Sequence, residues 1–177
     1  MRLRSVVAVS AVLLGVSACS FAAPLPDSCG NGNVKFKVNT LSAQPANSYP
    51  EPGKAQIVFI EEENSPVGIW GVIPKYATVR FALDGSWVGA NYGRSYFVRM
   101  VDPGVHHLCT SWQSAMKRLQ KNVDVTSFAA EAGKTYYFQA AVEVESEYAV
   151  HFALSQLNDD KGQYLLRNLK VSNSKTR

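Results

Sequence analysis

The stretch KTYYFQAAVEVE at residues 134–145 alternates strictly, with Tyr136, Phe138, Ala140, Val142 and Val144 on one side and Tyr137, Gln139, Glu143 and Glu145 on the other. A period of two is the mark of a half-buried β-strand. The same pattern recurs along the chain. Val34, Phe36 and Val38 alternate with Lys35 and Lys37, and Val79, Phe81 and Leu83 alternate with Thr78, Arg80 and Ala82. Tyr148, Val150, Phe152 and Leu154 repeat it once more. The run Ile57-Val58-Phe59-Ile60 is apolar on both faces, which predicts a central strand.

Turn-forming residues fall where these strands should end. Asp84-Gly85 is a two-residue hairpin signal. Asp102-Pro103-Gly104 divides 96–101 from 105–112, and Glu131-Ala132-Gly133 divides 122–129 from 134–145. Hairpins at this spacing predict a mainly β fold: an antiparallel β-sandwich or small open barrel with at most one or two short helices. The helical candidates are Leu157–Leu169, capped by Asn158 or Asp159 but weakened by Gly162, and the short stretch Ala115–Leu119.

Residues 1–18 read differently. Arg2 and Arg4 precede an uncharged apolar run from Ser5 to Val16. A basic head, a short apolar core and a small-residue exit describe a secretory signal peptide, and the run is shorter than the roughly 20 residues of a membrane span. Val16-Ser17-Ala18-Cys19 resembles a bacterial lipobox, so Cys19 is the expected lipidation site. Two or more acyl chains there would anchor the protein stably. Ser20 after the cysteine resembles an outer-membrane, periplasm-facing destination. The competing exit is an ordinary cut near Ala22 or Ala23, which would leave a secreted or periplasmic protein. The expected organisation is a signal at 1–18, a lipidated tether at 19–33 rich in Pro, Gly, Ser and Asn, and one domain at 34–177 with a disordered, basic C-terminal end.

The 18 Lys and Arg include the two signal arginines, leaving 18 − 2 = 16 against 14 acids in the mature chain. A surplus of two positive charges is no nucleic-acid footprint. With Cys19 assigned to lipid, Cys29 and Cys109 remain as one candidate pair in an oxidising compartment, the rival state being two buried thiols. No C-x-x-C is present to suggest redox or zinc chemistry.

Candidate chemistry is sparse. Gly133-Lys134-Thr135 ends like a phosphate loop, but Phe128 stands where glycine is required and a strand follows instead of a helix. Glu61-Glu62-Glu63 and the trio Glu143, Glu145 and Glu147 could supply paired carboxylates, but alternation places the second set on one solvated strand face, and no catalytic pair is expected. His106-His107-Leu108-Cys109 is the most suggestive cluster, and with His151 it defines the alternative of a periplasmic metal-binding protein or hydrolase. Yet adjacent strand residues point to opposite faces, so His106 and His107 cannot both share a face with Cys109. Trp70, Trp87, Tyr92, His107 and Trp112 are the candidate binding residues. The apolar loop at 65–73 suggests a further alternative, a protein-partner scaffold. No metal or cofactor is expected.

The segment FALDGSWVGANYGRSYFVRMVDPGVHHLCTSWQS, Phe81 to Ser114, carries a DG-x-WVGAN hairpin, then SYF, then PG-x-HHLC-x-x-WQS. Together with Cys29-Gly30, Pro52-Gly-Lys54 and Ala132-Gly-Lys-Thr-Tyr-Tyr-Phe138, it resembles bacterial domain of unknown function family 2846 over about residues 29–170. The resemblance implies an exported or lipidated envelope protein with a β-rich fold and a disulfide between Cys29 and Cys109. It implies no catalytic residue. The expected function is therefore a non-enzymatic binding or structural module of the cell envelope. Its expected partners are the membrane, through the N-terminal lipid, and an envelope protein or polysaccharide, with no nucleic acid.

Overall fold

A computed structural model describes residues 26–42, 49–62, 78–113, 122–146 and 149–177. Among them are ten strands: β1 (Phe36–Leu41), β2 (Ala55–Glu61), β3 (Thr78–Leu83), β4 (Ser86–Tyr92), β5 (Ser95–Val101), β6 (Gly104–Gln113), β7 (Val123–Ala130), β8 (Thr135–Ser146), β9 (Ala149–Leu157) and β10 (Lys170–Thr176). One helix, α1 (Asp159–Leu166), lies between the last two strands, and a short 3-10 turn, Asp27–Cys29, precedes the first.

The strands form two layers, a six-stranded sheet in the order β1-β10-β5-β2-β8-β9 and a four-stranded sheet in the order β4-β3-β6-β7. This is the expected β-sandwich. β2 is buried along its whole length and sits inside the larger sheet, as its two-sided apolar run requires. Its alternate residues serve two cores. Ala55, Ile57 and Phe59 face the other sheet, where Phe59 stacks on Phe97 at 4.9 Å and meets Phe81 at 5.0 Å. Val58 and Ile60 face outward with Tyr96, Tyr137, Leu165 and Leu169 in a second core beneath α1.

The sandwich is not wholly antiparallel. β2 pairs with β8 in parallel, and so does β10 with β5. A period-two pattern carries no information on strand direction, and a parallel pairing needs only that the intervening chain cross over. Between β2 and β8 that crossing is the entire small sheet. α1 makes the crossing between β9 and β10, on the outer face of the large sheet. Asp84-Gly85 is a true hairpin turn, with positive φ at both residues, joining β3 to β4. Asp102-Pro103-Gly104 and Glu131-Ala132-Gly133 instead carry the chain from one sheet to the other. Side chains bridge both seams of the sandwich. Ala90 N–H donates to Ser174 Oγ at 3.2 Å, and Leu154 N–H donates to Asp124 Oδ2 at 2.7 Å.

Two expected boundaries need correction. The C-terminal end is not disordered, because Lys170–Thr176 is β10, paired from Val171 to Thr176 with β1. Basic and hydroxyl residues conceal that strand, whose buried contact is made chiefly by Ser172 and Val171. Nor is the segment 19–33 a tether throughout. Cys29 is fully buried, and the carbonyls of Gly32 and Val34 accept hydrogen bonds from Arg80 Nη1 at 2.9 and 2.6 Å. Glycine and asparagine there serve a close backbone packing that composition alone reads as a linker. Leu157–Leu169 does hold the helix, with Asn158 Oδ1 accepting from Lys161 N–H at 2.9 Å as its cap. Ala115–Leu119 lies outside the described residues.

Candidate functional site

The residues singled out by sequence do not converge. Cys29 and Cys109 form a disulfide with a Cα–Cα distance of 5.0 Å, buried with Ala82 on the outer face of the small sheet. Trp87 lies beside it, donating its indole N–H to Asn31 O at 2.6 Å while the Arg80 guanidinium sits 4.3 Å from its ring centroid. Trp112 is 2% exposed, in the core between the sheets. Tyr92 is exposed at the end of β4. Cys19, Trp70 and the 65–73 loop lie outside the described residues, as does the side chain of His151, whose backbone pairs with Glu143 across β8 and β9.

The His106-His107 pair is held by one carboxylate. Asp84 Oδ2 lies 2.7 Å from His106 Nδ1, and Asp84 Oδ1 accepts from the His107 N–H at 2.8 Å. His106 Nε2 lies 2.7 Å from the Asp102 carbonyl. Burial opposes a charge on the His106 ring, but the Asp102 carbonyl and the Asp84 carboxylate outweigh it and raise the pKa. For Asp84, burial pushes upward and is overcome by the His107 N–H and the His106 ring, so its pKa falls. With both ring nitrogens engaged, His106 is a staple between the β3–β4 hairpin and the start of β6. His107 is exposed. Among the described residues no group of three or more His, Cys, Asp or Glu is arranged to hold a metal.

The cavity of consequence is elsewhere. A groove of about 1050 Å³ runs along the outer face of the large sheet beside α1. Its lining includes Gln56 and Val58 of β2, Tyr96 of β5, Tyr137 of β8, Gln156 of β9 and Gln163 of α1. These positions follow from alternation, since Gln56 shares the outward face of β2 with Val58 and Ile60. Gln56 is 4% exposed, and its Oε1 has no hydrogen-bond partner. Burial raises the Tyr96 hydroxyl pKa. It does the same for Tyr137, helped by the nearby Asp159 and opposed by a hydrogen bond with Gln163. Tyr49, also in the lining, is 79% exposed.

The groove leaves little trace in the sequence. Its residues come from five separate segments, and none forms a motif with its neighbours in the chain. One signal was present: Gln56 stands directly before the apolar run Ile57–Ile60, and an amide in a strand buried on both faces calls for a partner.

No protein-family model matches the chain, and comparison with curated proteins and with solved structures gives no match either.

Proposed function

We propose that this chain is an exported, lipid-anchored protein of the cell envelope that acts as a non-enzymatic binding module through the groove between α1 and the large sheet. The observation that carries the binding reading is the buried Gln56 Oε1 without a partner at that groove. A buried unsatisfied acceptor costs about 1–3 kcal/mol. An apolar residue of similar size would remove that cost, so the amide makes sense if a ligand supplies the missing donor.

The address rests on the basic head, the apolar run and the Val16-Ser17-Ala18-Cys19 exit, and the Cys29–Cys109 disulfide suits an oxidising compartment. A lipid on Cys19 leaves residues 20–28, at most about 30 Å of extended chain, before the disulfide ties the chain to the fold. The protein would therefore sit close against its membrane. The residues behind the resemblance to family 2846 fit this reading, because they are occupied in holding the fold. Asp84 binds the histidine pair, Cys109 is bridged, and Gln113 clamps Phe36, accepting from its N–H at 2.6 Å and donating to its carbonyl at 2.8 Å.

Fractionation tests the anchor: Cys19→Ser should move the protein from membranes to the soluble fraction, and continued sedimentation with membranes would refute it. Titration of the mature chain with soluble envelope extract tests the groove. The Gln56 side-chain amide resonance should shift, whereas indifference to every fraction would remove the binding reading.

A further inference from the structure

Three features of the groove restrict what it accepts, given the binding reading above on which this step rests. The first is charge. Of its cationic lining residues, Lys134 is paired with Glu131 at 2.9 Å, and Arg167 is engaged in an interaction of its own. Asp159 and Asp160 stand on the same wall, in the first turn of α1. An anionic ligand would find two carboxylates and no uncommitted cation among these residues. Phosphate-bearing and polycarboxylate ligands are therefore disfavoured.

The second is the state of the backbone. The groove lies over the face of the sheet and meets the edge strand β9 at its C-terminal end, Gln156 and Leu157. β2 is hydrogen-bonded to β5 on one side and β8 on the other, so its N–H and C=O groups are consumed in the ladder. An extended peptide that binds by adding a strand needs a free edge, and β2, the strand that carries Gln56, has none. Recognition at Gln56 must come through side chains.

The third is the side-chain inventory. Gln56, Gln156 and Gln163 present amides, each able to donate and to accept. Tyr96 and Tyr137 add hydroxyls on rings fixed by burial, Val58 adds an apolar floor, and Tyr49 offers an exposed ring. A sugar ring is the complement of this set. Its hydroxyls both donate and accept, its C–H face packs on aromatic and apolar surface, and it carries no charge. A volume of about 1050 Å³ is at the upper end for small-ligand sites and admits several linked rings.

We infer that the groove beside α1 binds an uncharged saccharide chain, with a hydroxyl or acetamido N–H of one ring donating to Gln56 Oε1.

The test is titration of the mature Cys19→Ser chain, disulfide intact, with maltotetraose, chitotetraose and the blocked peptide N-acetyl-trialanine amide. Side-chain amide resonances of Gln56, Gln156 and Gln163 report binding. One tetrasaccharide should shift all three saturably. Gln56→Met should bind it about tenfold more weakly, the loss expected for one hydrogen bond to a buried acceptor. The same variant should melt no lower than the wild type, because it removes an unsatisfied group. A variant that melts lower and binds normally would make Gln56 structural and overturn the inference. Groove shifts with the peptide and neither sugar would also overturn it, while leaving a binding module standing. Silence from all three probes in a protein whose groove does respond to envelope extract would again refute the saccharide alone. Silence to extract as well would remove both readings.

Discussion

Gly30 and Gly85 meet backbone to backbone, so that the carbonyl of Gly85 occupies the space a Cβ on Gly30 would need. Gly30 has φ +69°, a conformation that disfavours side chains, and the Gly85 N–H donates to Ser28 O at 3.3 Å. The glycine after Cys29 and the glycine of the Asp84-Gly85 hairpin are thus two halves of one contact. It seats the N-terminal segment on the small sheet beside the disulfide.

Gly30→Ala should therefore cost about 2–4 kcal/mol, since its backbone at φ +69°, ψ −159° lies in a region kept almost wholly to glycine and contributes about 1–3 kcal/mol, and the collision adds to it. Gly53 makes the control, with φ +78° and nothing within 4 Å of an added Cβ. Gly53→Ala should cost only the backbone part, about 1–2 kcal/mol. Urea denaturation of both variants gives the comparison. Equal losses would mean that the segment is not docked as described.

Cys29 and Cys109 are separated by 80 residues, a loop whose closure restricts the unfolded chain by roughly 4 kcal/mol on the chain-entropy account. The double variant Cys29→Ala, Cys109→Ala avoids burying new hydroxyls and should lose about 2–5 kcal/mol. Hydrogen exchange should also speed up at the Gly85 amide, whose acceptor lies in the released segment. A loss below about 1 kcal/mol would show that the main-chain docking holds the segment without the bond.

Alternation exposed nearly every strand, because a half-buried pleat imposes it directly on the residues, as at Val79, Phe81 and Leu83. It could not give direction or partner. Nothing in Ile57-Val58-Phe59-Ile60 says that one neighbour runs parallel and the other antiparallel. β10 escaped because Lys170-Val171-Ser172-Asn173-Ser174-Lys175-Thr176 offers few apolar residues to alternate. Its place comes from pairing with β1 and from the Ser172 Oγ to Ser95 Oγ hydrogen bond at 2.8 Å. The groove was hidden for a related reason. Gln56, Tyr96, Tyr137 and Gln163 become neighbours only through sheet order and the crossing of α1. The His106-His107 cluster attracted metal chemistry because sequence shows which groups are near, not which are already engaged.

The Asp84–His106 pair makes stability depend on pH. The folded pKa of His106 is raised above its ordinary 6.5, so the stability it contributes is fully present below that value and is lost as pH rises through the folded pKa. Asp84 is lowered from 3.8, so its contribution is present above that value and is lost as pH falls through the folded pKa. The pair is at full strength between these limits. His106→Gln should cost about 0.5–1 kcal/mol near pH 5–6, a modest figure because Asp84 is partly exposed. The gap to wild type should narrow toward pH 9 and again toward pH 2. Denaturant titrations across that range would reveal it, and a gap independent of pH would assign the contact to packing alone.

Gly162 gives a prediction whose sign separates local propensity from tertiary packing. In an exposed helix interior, glycine to alanine stabilises by about 1 kcal/mol. Here Gly162 is buried within α1, and an added Cβ would run into the ring of Tyr137 on β8. That ring is fixed by the outer core, with Val58, Ile60, Tyr96 and Leu165 around it, so α1 must lift rather than Tyr137 yield. Gly162→Ala should then destabilise by roughly 1–3 kcal/mol, the usual cost of overpacking, despite the better helix former. Because Gln163 and Tyr137 line the groove together, the lifted helix should also shift the Gln163 amide resonance and weaken any ligand bound there. Pairing with Tyr137→Leu tests the cause. The smaller side chain should relieve most of the alanine's cost, while purely additive losses would place the strain elsewhere.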